Sequence, residues 1–360
     1  MFKLPRYIDP DFSTLPKIEA KIEVATKDGI APEYFHSTSM FPEYFFLDGE
    51  WRLAKESRMD SCVVYKDGEV LVVEARNLKA GDKVILGRTE NGEEGIYVHT
   101  QGFVEEASGL DDKFVFRQGR SRETAFSSDY DKLYELLRYE KEHGNVLFVM
   151  GPACAFDHDS RAAMQYLIEN GYVDGLLAGN ALATHDLEGA YFHTALGQNI
   201  YTQVSVPNGH YNHLDVINKV RRAGSIPAFI EQEKIDNGII YAMNKCKKPF
   251  VLCGSIRDDG PLPEVVANVY EGQSAMRSLI KNATTIICLA TQLHTIATGN
   301  ITPSFRVVDG VIRPIYIYSV DISEFATNKL KDRGSLSSTG IITNVQDFVV
   351  NVAKALGFKL

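Results

Sequence analysis

Residues 176–197 read LLAGNALATHDLEGAYFHTALG. The apolar LLA ends a buried strand, Gly179-Asn180 turns the chain, and a helix follows carrying His185, Asp186, Glu188 and His193. A strand feeding a helix through a small polar turn is part of a βαβ unit, and a helix N-terminus placed there attracts anions. Upstream, VLFVM (146–150) and the amphipathic DSRAAMQYLIENG supply the preceding strand and helix. Downstream, FVLCG (250–254), TIICLA (285–290), IYIYSV (315–320) and GIITN (340–344) continue the series, separated mostly by amphipathic stretches such as LPEVVANVYEGQSAMRSLIKN. Apolar strands alternating with helices predict an α/β, doubly wound parallel sheet covered on both faces. FRVVDGVIRP, turning at Asp309-Gly310, predicts a hairpin just before IYIYSV.

The first part of the chain has another pattern. SCVVYKDGEVLVVEARNL holds two β-rich runs joined through Lys66-Asp67-Gly68, and Asp-Gly is a strong hairpin signal. LKAGDKVILGR and GIYVHTQGFVEE add more strands. We therefore expect a smaller, mostly β N-terminal domain over 1–125, which could close over a substrate, and an α/β domain over 126–360. The polar, turn-rich RQGRSRETAFSSD (117–129) is the expected linker, with Ser128 capping the next helix and Gly144 stopping it.

Bulk properties narrow the function. A length of 360 residues suggests about two domains on the usual ~150-residue prior. A formal charge of −9 argues against a nucleic-acid surface, which needs a basic stripe. No apolar run approaches the ~18 residues of a membrane span, and MFKLPRYIDPDF has no signal-peptide core. The expected address is cytoplasmic. Cys62, Cys154, Cys246, Cys253 and Cys288 form no C-x-x-C pair, which disfavours a four-thiolate zinc site. Cys253 and Cys288 read as core thiols. Cys154, beside a ligand turn, is read first as a small hydrophobe and second as reactive.

In a parallel sheet the residues just past each strand share one edge, where ligands bind. Here they are Gly151-Pro152-Ala153, Gly179-Asn180-Ala181, Gly254-Ser255, Thr291-Gln292 with His294, Asp321-Ile322, and Asn344-Val345. Small residues dominate, as needed where backbone amides approach a diphosphate. No G-x-G-x-x-G follows the first strand, so the standard dinucleotide fingerprint is absent. Asp321 can accept both hydroxyls of an adenosine ribose and would repel a 2′-phosphate, favouring NAD over NADP; alternatively it caps the helix beginning near Ser323. Asp157-His158-Asp159 could supply an acid or base, or Asp157 could only cap a helix. His210 and His213 have an H-x-x-H spacing without a third ligand, so no metal is assigned.

The order and turn chemistry of TTIICLATQLHT, RPIYIYSVDIS and GIITNVQDFVVNVAKALG resemble the NAD-binding fold of deoxyhypusine synthase and the sirtuins. A closer resemblance covers nearly the whole chain. HSTSMFPEYFFLDGEW, GRTENGEEGIYVHT, LAGNALATHDLEGA, LGQNIYTQ, FVLCGSIRDDGPLPEV, ATQLHTIATGNITPS and YSVDISEFATNKLKDRGSL resemble the archaeal-type ornithine cyclodeaminases. That group also goes by a conserved region of lysine-ketoglutarate reductase/saccharopine dehydrogenase, and it forms the C-terminal module of cyanobacterial bifunctional arginine-catabolising enzymes. The arginine dihydrolase part of those fused enzymes has no expected counterpart in these residues.

The resemblance implies conversion of L-ornithine to L-proline and ammonia, with NAD as a recycled hydride carrier. The alternative is an NAD-dependent amino-acid or opine oxidoreductase of saccharopine type. A non-catalytic NAD-binding sensor is a third reading. For ornithine, Arg257 is the carboxylate clamp, and one of Asp258, Asp259 and Glu264 holds the distal ammonium or acts as base; alternatively Arg257 pairs with its acidic neighbours. Asp186 and His193, seven residues apart on one helical face, are a candidate proton-moving pair. Arg58, Arg76 and Arg88 could reach across from the β domain, or simply make solvent-facing ion pairs. The partner is a small amino-acid substrate, and a homo-oligomer is expected.

Overall fold

Seven all-parallel strands form the central sheet: β1 (Val146–Met150), β2 (Gly175–Gly179), β3 (Phe250–Cys253), β4 (Val265–Val266), β5 (Thr285–Leu289), β6 (Tyr316–Asp321) and β7 (Ser337–Ile342). Their order is β4-β3-β2-β1-β5-β6-β7. The chain moves outward from β1 as far as β4, then returns to lay β5 against the other side of β1. The strand order thus reverses between β1 and β5, and the crevice at their carboxyl ends is where a doubly wound sheet binds its ligand. The structure, a computed structural model, describes residues 2–104, 127–258, 260–323, 325–332 and 336–359.

The helices are α1 (Ser127–His143), α2 (His158–Glu169), α3 (Asn180–Phe192), α4 (Asn212–Ala223), α5 (Ile226–Gln232), α6 (Ile239–Lys245), α7 (Val269–Ile280), α8 (Gln292–Ile301), α9 (Phe325–Asp332) and α10 (Val345–Ala355). The period of two along β1 divides the core. Val146, Phe148 and Met150 join one apolar cluster with residues of α1, α2 and α10, while Leu147 and Val149 join a second with residues of α7 and α8. The inner strands β1, β2, β5 and β6 bury both faces over most of their length, which is why the sequence shows continuous apolar runs there rather than alternation.

The strand next to the switch point tolerates no side chain at its end. A Cβ on Gly151 would lie 2.0 Å from the Ala290 carbonyl oxygen, a backbone atom that cannot swing away. Gly151→Ala is therefore expected to destabilise the protein by about 3 kcal/mol, read as a lowered denaturant midpoint at unchanged slope.

The predicted doubly wound sheet and mostly β N-terminal part are present. Two details differ. Val265–Val266 was expected to lie in a helix but forms the edge strand β4; its β-branched pair suits a pleated edge, and the helix waits for Asn268, whose side chain accepts from the amides of Tyr270 and Glu271. Helix α1 begins at Ser127, one residue before the expected Ser128 cap. The hairpin before β6 is present as Phe305–Val308 paired with Val311–Pro314.

Among the described N-terminal residues, small antiparallel sheets of four, three and two strands occur. Cys62–Lys66 pairs with Glu69–Val73 across Asp67-Gly68, both with positive φ (52° and 81°). A two-residue hairpin turn of that kind demands such a dipeptide. This β unit docks along α7 and the end of α8: Arg277 Nη2 donates to Glu56 at 2.8 Å, and the Ser304 amide donates to the Ser57 carbonyl at 2.7 Å. Arg58 is a correction. It is buried and paired with Glu74 at 2.9 Å instead of facing solvent. Arg76 lies over the Tyr270 ring and Arg88 over Phe35. The 125/126 boundary and residues 117–126 of the expected linker lie outside the described residues.

Candidate active site

The turns after the strands converge as the parallel register requires. Gly151 N donates to the Leu289 carbonyl, Ala290 N to Val320 and Thr343 N to Asp321, so the ends of β1, β5, β6 and β7 are laced side by side. Gln346 Nε2 reaches back to the Ala153 carbonyl at 2.9 Å, joining the turn after β7 to the turn after β1. His294, in the first turn of α8, has Cε1 3.2 Å from where a Gly179 Cβ would sit. Burial lowers the His294 pKa, and the Asp258 charge opposes that shift, so the turns after β2, β3 and β5 share one neighbourhood. The imidazole is thereby kept neutral at neutral pH.

Helix starts separate into two kinds along this edge. Asp157, Asn268 and Asn344 cap α2, α7 and α10 with their own side chains. Helices α3 and α8 follow Gly179 and Thr291, neither of which caps its helix with a side chain. Their first amides are the ones left for a ligand, and α8 starts beside the switch point. Asp321 ends β6, the strand that follows α8 in the sheet. Its Oδ1 accepts the Ser323 amide at 3.0 Å, so the ribose and turn-forming readings of this carboxylate are compatible: one oxygen makes the turn. Ile322 beside it is 78% exposed. An acid at the end of the second strand of a βαβ unit, with an uncapped helix at the first turn, is the arrangement that holds a dinucleotide.

Several predicted residues sit elsewhere. Asp186 is fully buried, and its carboxylate is consumed by Arg161 Nε (2.8 Å) and the Ile239 and Ile240 amides (3.0 and 2.8 Å). It holds α2, α3 and α6 together and does not pair with His193, which terminates α3 in the left-handed region at φ 59°. Glu264 precedes β4, where its Oε1 accepts the Ile226 amide at 2.6 Å at the start of α5, while its buried Oε2 has no hydrogen-bond partner among the described residues. Asn180, buried, was expected to contact the cofactor. Its Oδ1 accepts the Leu262 amide (3.0 Å) and its Nδ2 donates to the Gly260 carbonyl (3.3 Å), so its side chain clips the 254–262 loop onto α3. Asn344 likewise spends its oxygen as a cap.

Within the 254–262 loop, Arg257 is exposed and makes no ion pair with a described residue, while Ile256 beside it is fully exposed. Asp258 Oδ2 accepts the Ser255 amide at 2.8 Å. Asp259 lies outside the described residues. Asp157 is the cap of α2, accepting Ser160 N at 2.9 Å.

An acid–histidine pair exists, but on other residues. His185 Nδ1 lies 2.8 Å from Glu188 Oε2, and Glu188 is fully buried. Thr194 Oγ1 donates to Glu188 Oε1 at 2.8 Å and accepts from Asn212 Nδ2 at 2.8 Å. The signal was present as H-x-x-E at helical spacing, but the sequence reading paired Asp186 with His193 instead, because nothing local marks Arg161 as the partner of Asp186.

Cys154 is completely buried, and burial pushes its thiol up to about 12. Its reading as a small hydrophobe holds. A thiol reagent at pH 8 is expected to label Cys154 only after unfolding; labelling in the native state would contradict its burial. Cys288 behaves alike, while Cys253 is half-buried. A cleft of about 540 Å³ lies between the β unit and the hairpin, lined by Lys55, Lys281 and Phe305 among others, away from the strand ends. Among the described residues no helix is long and apolar enough to cross a membrane.

Fold and edge together define a doubly wound α/β protein built to hold a dinucleotide at its switch point. Residues 132–352 match the family model described as arginine dihydrolase ArgZ-like, C-terminal, Rossmann fold. The chain is 37% identical over 353 residues to the ornithine cyclodeaminase of Methanocaldococcus jannaschii, covering 95% of this chain and 79% of that one. It is 32% identical to the bifunctional arginine dihydrolase/ornithine cyclodeaminase ArgZ of Synechocystis, covering 93% of this chain and 46% of that longer enzyme. The chain belongs to the ornithine cyclodeaminase family of archaea, whose α/β domain is the ArgZ-like C-terminal module.

Solved structures agree. The LOR/SDH protein of Methanococcus maripaludis S2 superposes with a TM-score of 0.83 at 32% identity, covering 94% of this chain and 98% of that one. AgrE, crystallised as a ternary complex with ornithine and NAD+, superposes with a TM-score of 0.60 at 30% identity, over 97% of this chain and 47% of that one.

Proposed function

We propose that the protein is an ornithine cyclodeaminase, converting L-ornithine to L-proline and ammonia with NAD used and regenerated in each turnover. The observation that carries this reading is the carboxylate of Asp321 at the end of β6, one strand beyond the uncapped start of α8 at the switch point. Its fit to an unphosphorylated adenosine ribose favours NAD over NADP. The ornithine and NAD+ held by AgrE, and the names of the archaeal relatives, support the substrate. Bound NAD supplies a hydride acceptor that takes the α-hydrogen of ornithine with its electron pair and returns it after ring closure.

The protein's own groups do the rest. The amides opening α8 hold the diphosphate. Arg257, with no ion pair to a described residue, offers a planar fork for the substrate carboxylate. Asp258, or Asp259, holds the distal ammonium, takes the one proton it must lose before its nitrogen can attack, and returns that proton to the ring nitrogen of proline. Ring closure brings the distal nitrogen onto the α-carbon, so these residues must hold the chain folded back on itself; that positioning is their contribution to rate.

The test supplies the purified protein with ornithine and NAD and follows ammonia, proline and the absorbance of reduced nicotinamide. Proline equal to ornithine consumed, without build-up of NADH, is expected. NADH accumulating with no proline would mean a net oxidoreductase instead, and NAD binding without turnover would mean a sensor.

A further inference from the structure

We infer that His185 is the proton carrier of the reaction, with Glu188 as the residue that positions it; the inference rests on the ornithine reading above. Glu188 is fully buried and takes hydrogen bonds at both oxygens, from His185 Nδ1 and from the Thr194 hydroxyl. The Thr194 hydroxyl in turn accepts from Asn212, which fixes its proton toward Glu188. A carboxylate accepting on both sides holds the proton of a neutral imidazole on Nδ1 and leaves the Nε2 lone pair outward. Nε2 has no partner among the described residues, and 11% of the His185 side chain remains accessible.

The ring stands at the strand ends. It is one turn beyond Asn180 on α3, and its edge meets Phe156 from the turn after β1 at 5.3 Å between centroids. His213 of α4 lies 6.0 Å away between ring centroids. The 254–262 loop, clipped to α3 by Asn180, has Gly260 against Ile217, one turn further along α4. His185 thus shares a corner with the loop that carries Arg257 and Asp258.

The reaction needs such a group twice. The α-nitrogen of ornithine must be neutral before its carbon can be oxidised, so His185 Nε2 accepts one proton from the α-ammonium. After the ring closes, His185 returns that proton to the original α-nitrogen, whose bond to the α-carbon breaks with the electron pair going to nitrogen; the ring nitrogen gives one proton to the departing ammonia, which leaves as ammonium, and its freed electron pair forms the cyclic imine. The imidazole ends each cycle as it began, and no external acid or base is consumed.

The test uses the full chain as His185→Ala and Glu188→Gln, with NAD affinity measured by calorimetry alongside kcat and KM for ornithine. Expected for both are NAD affinity within about threefold of wild type and kcat lower by about 100-fold or more with little change in KM. Added imidazole is expected to restore about tenfold in His185→Ala, a readout a packing role would not move. In Glu188→Gln the amide can donate to Nδ1 and push the proton to Nε2, so the loss arises with the side chain's shape kept. Should His185→Ala fail to bind NAD, Glu188→Gln carries the test. Near-wild-type kcat in either variant, or a loss in His185→Ala that imidazole does not rescue while NAD still binds, overturns the assignment. Wild-type protein that binds NAD but leaves ornithine unchanged overturns the proposed function itself, and this assignment with it.

Discussion

Asp186→Ala is expected to destabilise the protein by about 3–5 kcal/mol, the cost of stranding one member of a buried ion pair. The substitution leaves the Arg161 guanidinium, 2% exposed, without its anion and orphans the Ile239 and Ile240 amides at the start of α6. Among the described residues, only the Asp186 carbonyl (2.9 Å) and the Asn237 side chain (3.1 Å) would still accept from that guanidinium. For an α/β unit of this size the loss corresponds to a fall in Tm of roughly 6–20 °C. The same variant separates structure from chemistry. Protein kept cold and folded should bind NAD with wild-type affinity, because the carboxylate faces α2 and α6 and not the strand ends. A catalytic Asp186 would instead lose kcat with an unchanged Tm.

The second large effect belongs to Asp321. Asp321→Ala is expected to weaken NAD binding about 100-fold, since each hydrogen bond from a ribose hydroxyl to a charged acceptor contributes roughly 1.5–3 kcal/mol. Stability should fall only by the value of the lost turn bond to Ser323, about 1 kcal/mol. Discrimination against NADP should shrink with it, as removing the carboxylate removes its repulsion of a 2′-phosphate. Calorimetric titration of both nucleotides checks this. Unaltered NAD affinity would reduce Asp321 to the turn-forming role that its contact with Ser323 already shows.

How much of this was legible beforehand depended on whether the information was local. The sheet was legible because strands buried on both faces must be apolar throughout, as VLFVM and TIICL are. The Asp67-Gly68 turn was legible because few residues accept two successive positive φ angles. Val265–Val266 was not, since a two-residue edge strand inside a helix-like stretch has no period to detect.

The site divides in the same way. Which turns line the edge followed from topology alone, so the residues after β1, β2, β3, β5, β6 and β7 were found together. Which side chains face a ligand depended on partners far along the chain. Asp186 meets α6 more than fifty residues on, Glu264 meets Ile226 and Asn180 meets Leu262. Spacing gave no sign of those pairings. The His185–Glu188 pair, three apart, was visible in the sequence, but its second support, Thr194 held by Asn212, was not.

The proposed reaction turns on one borrowed hydride. Ornithine bearing deuterium at the α-carbon and ¹⁵N at the α-nitrogen, given to the protein with NAD far below the substrate concentration, tests it by mass spectrometry of the products. Many proline molecules per NAD are expected, each retaining the deuterium and lacking ¹⁵N, with the heavy nitrogen recovered in ammonia. Proline that keeps the ¹⁵N, or turnover that stops at one equivalent of NAD, would contradict it.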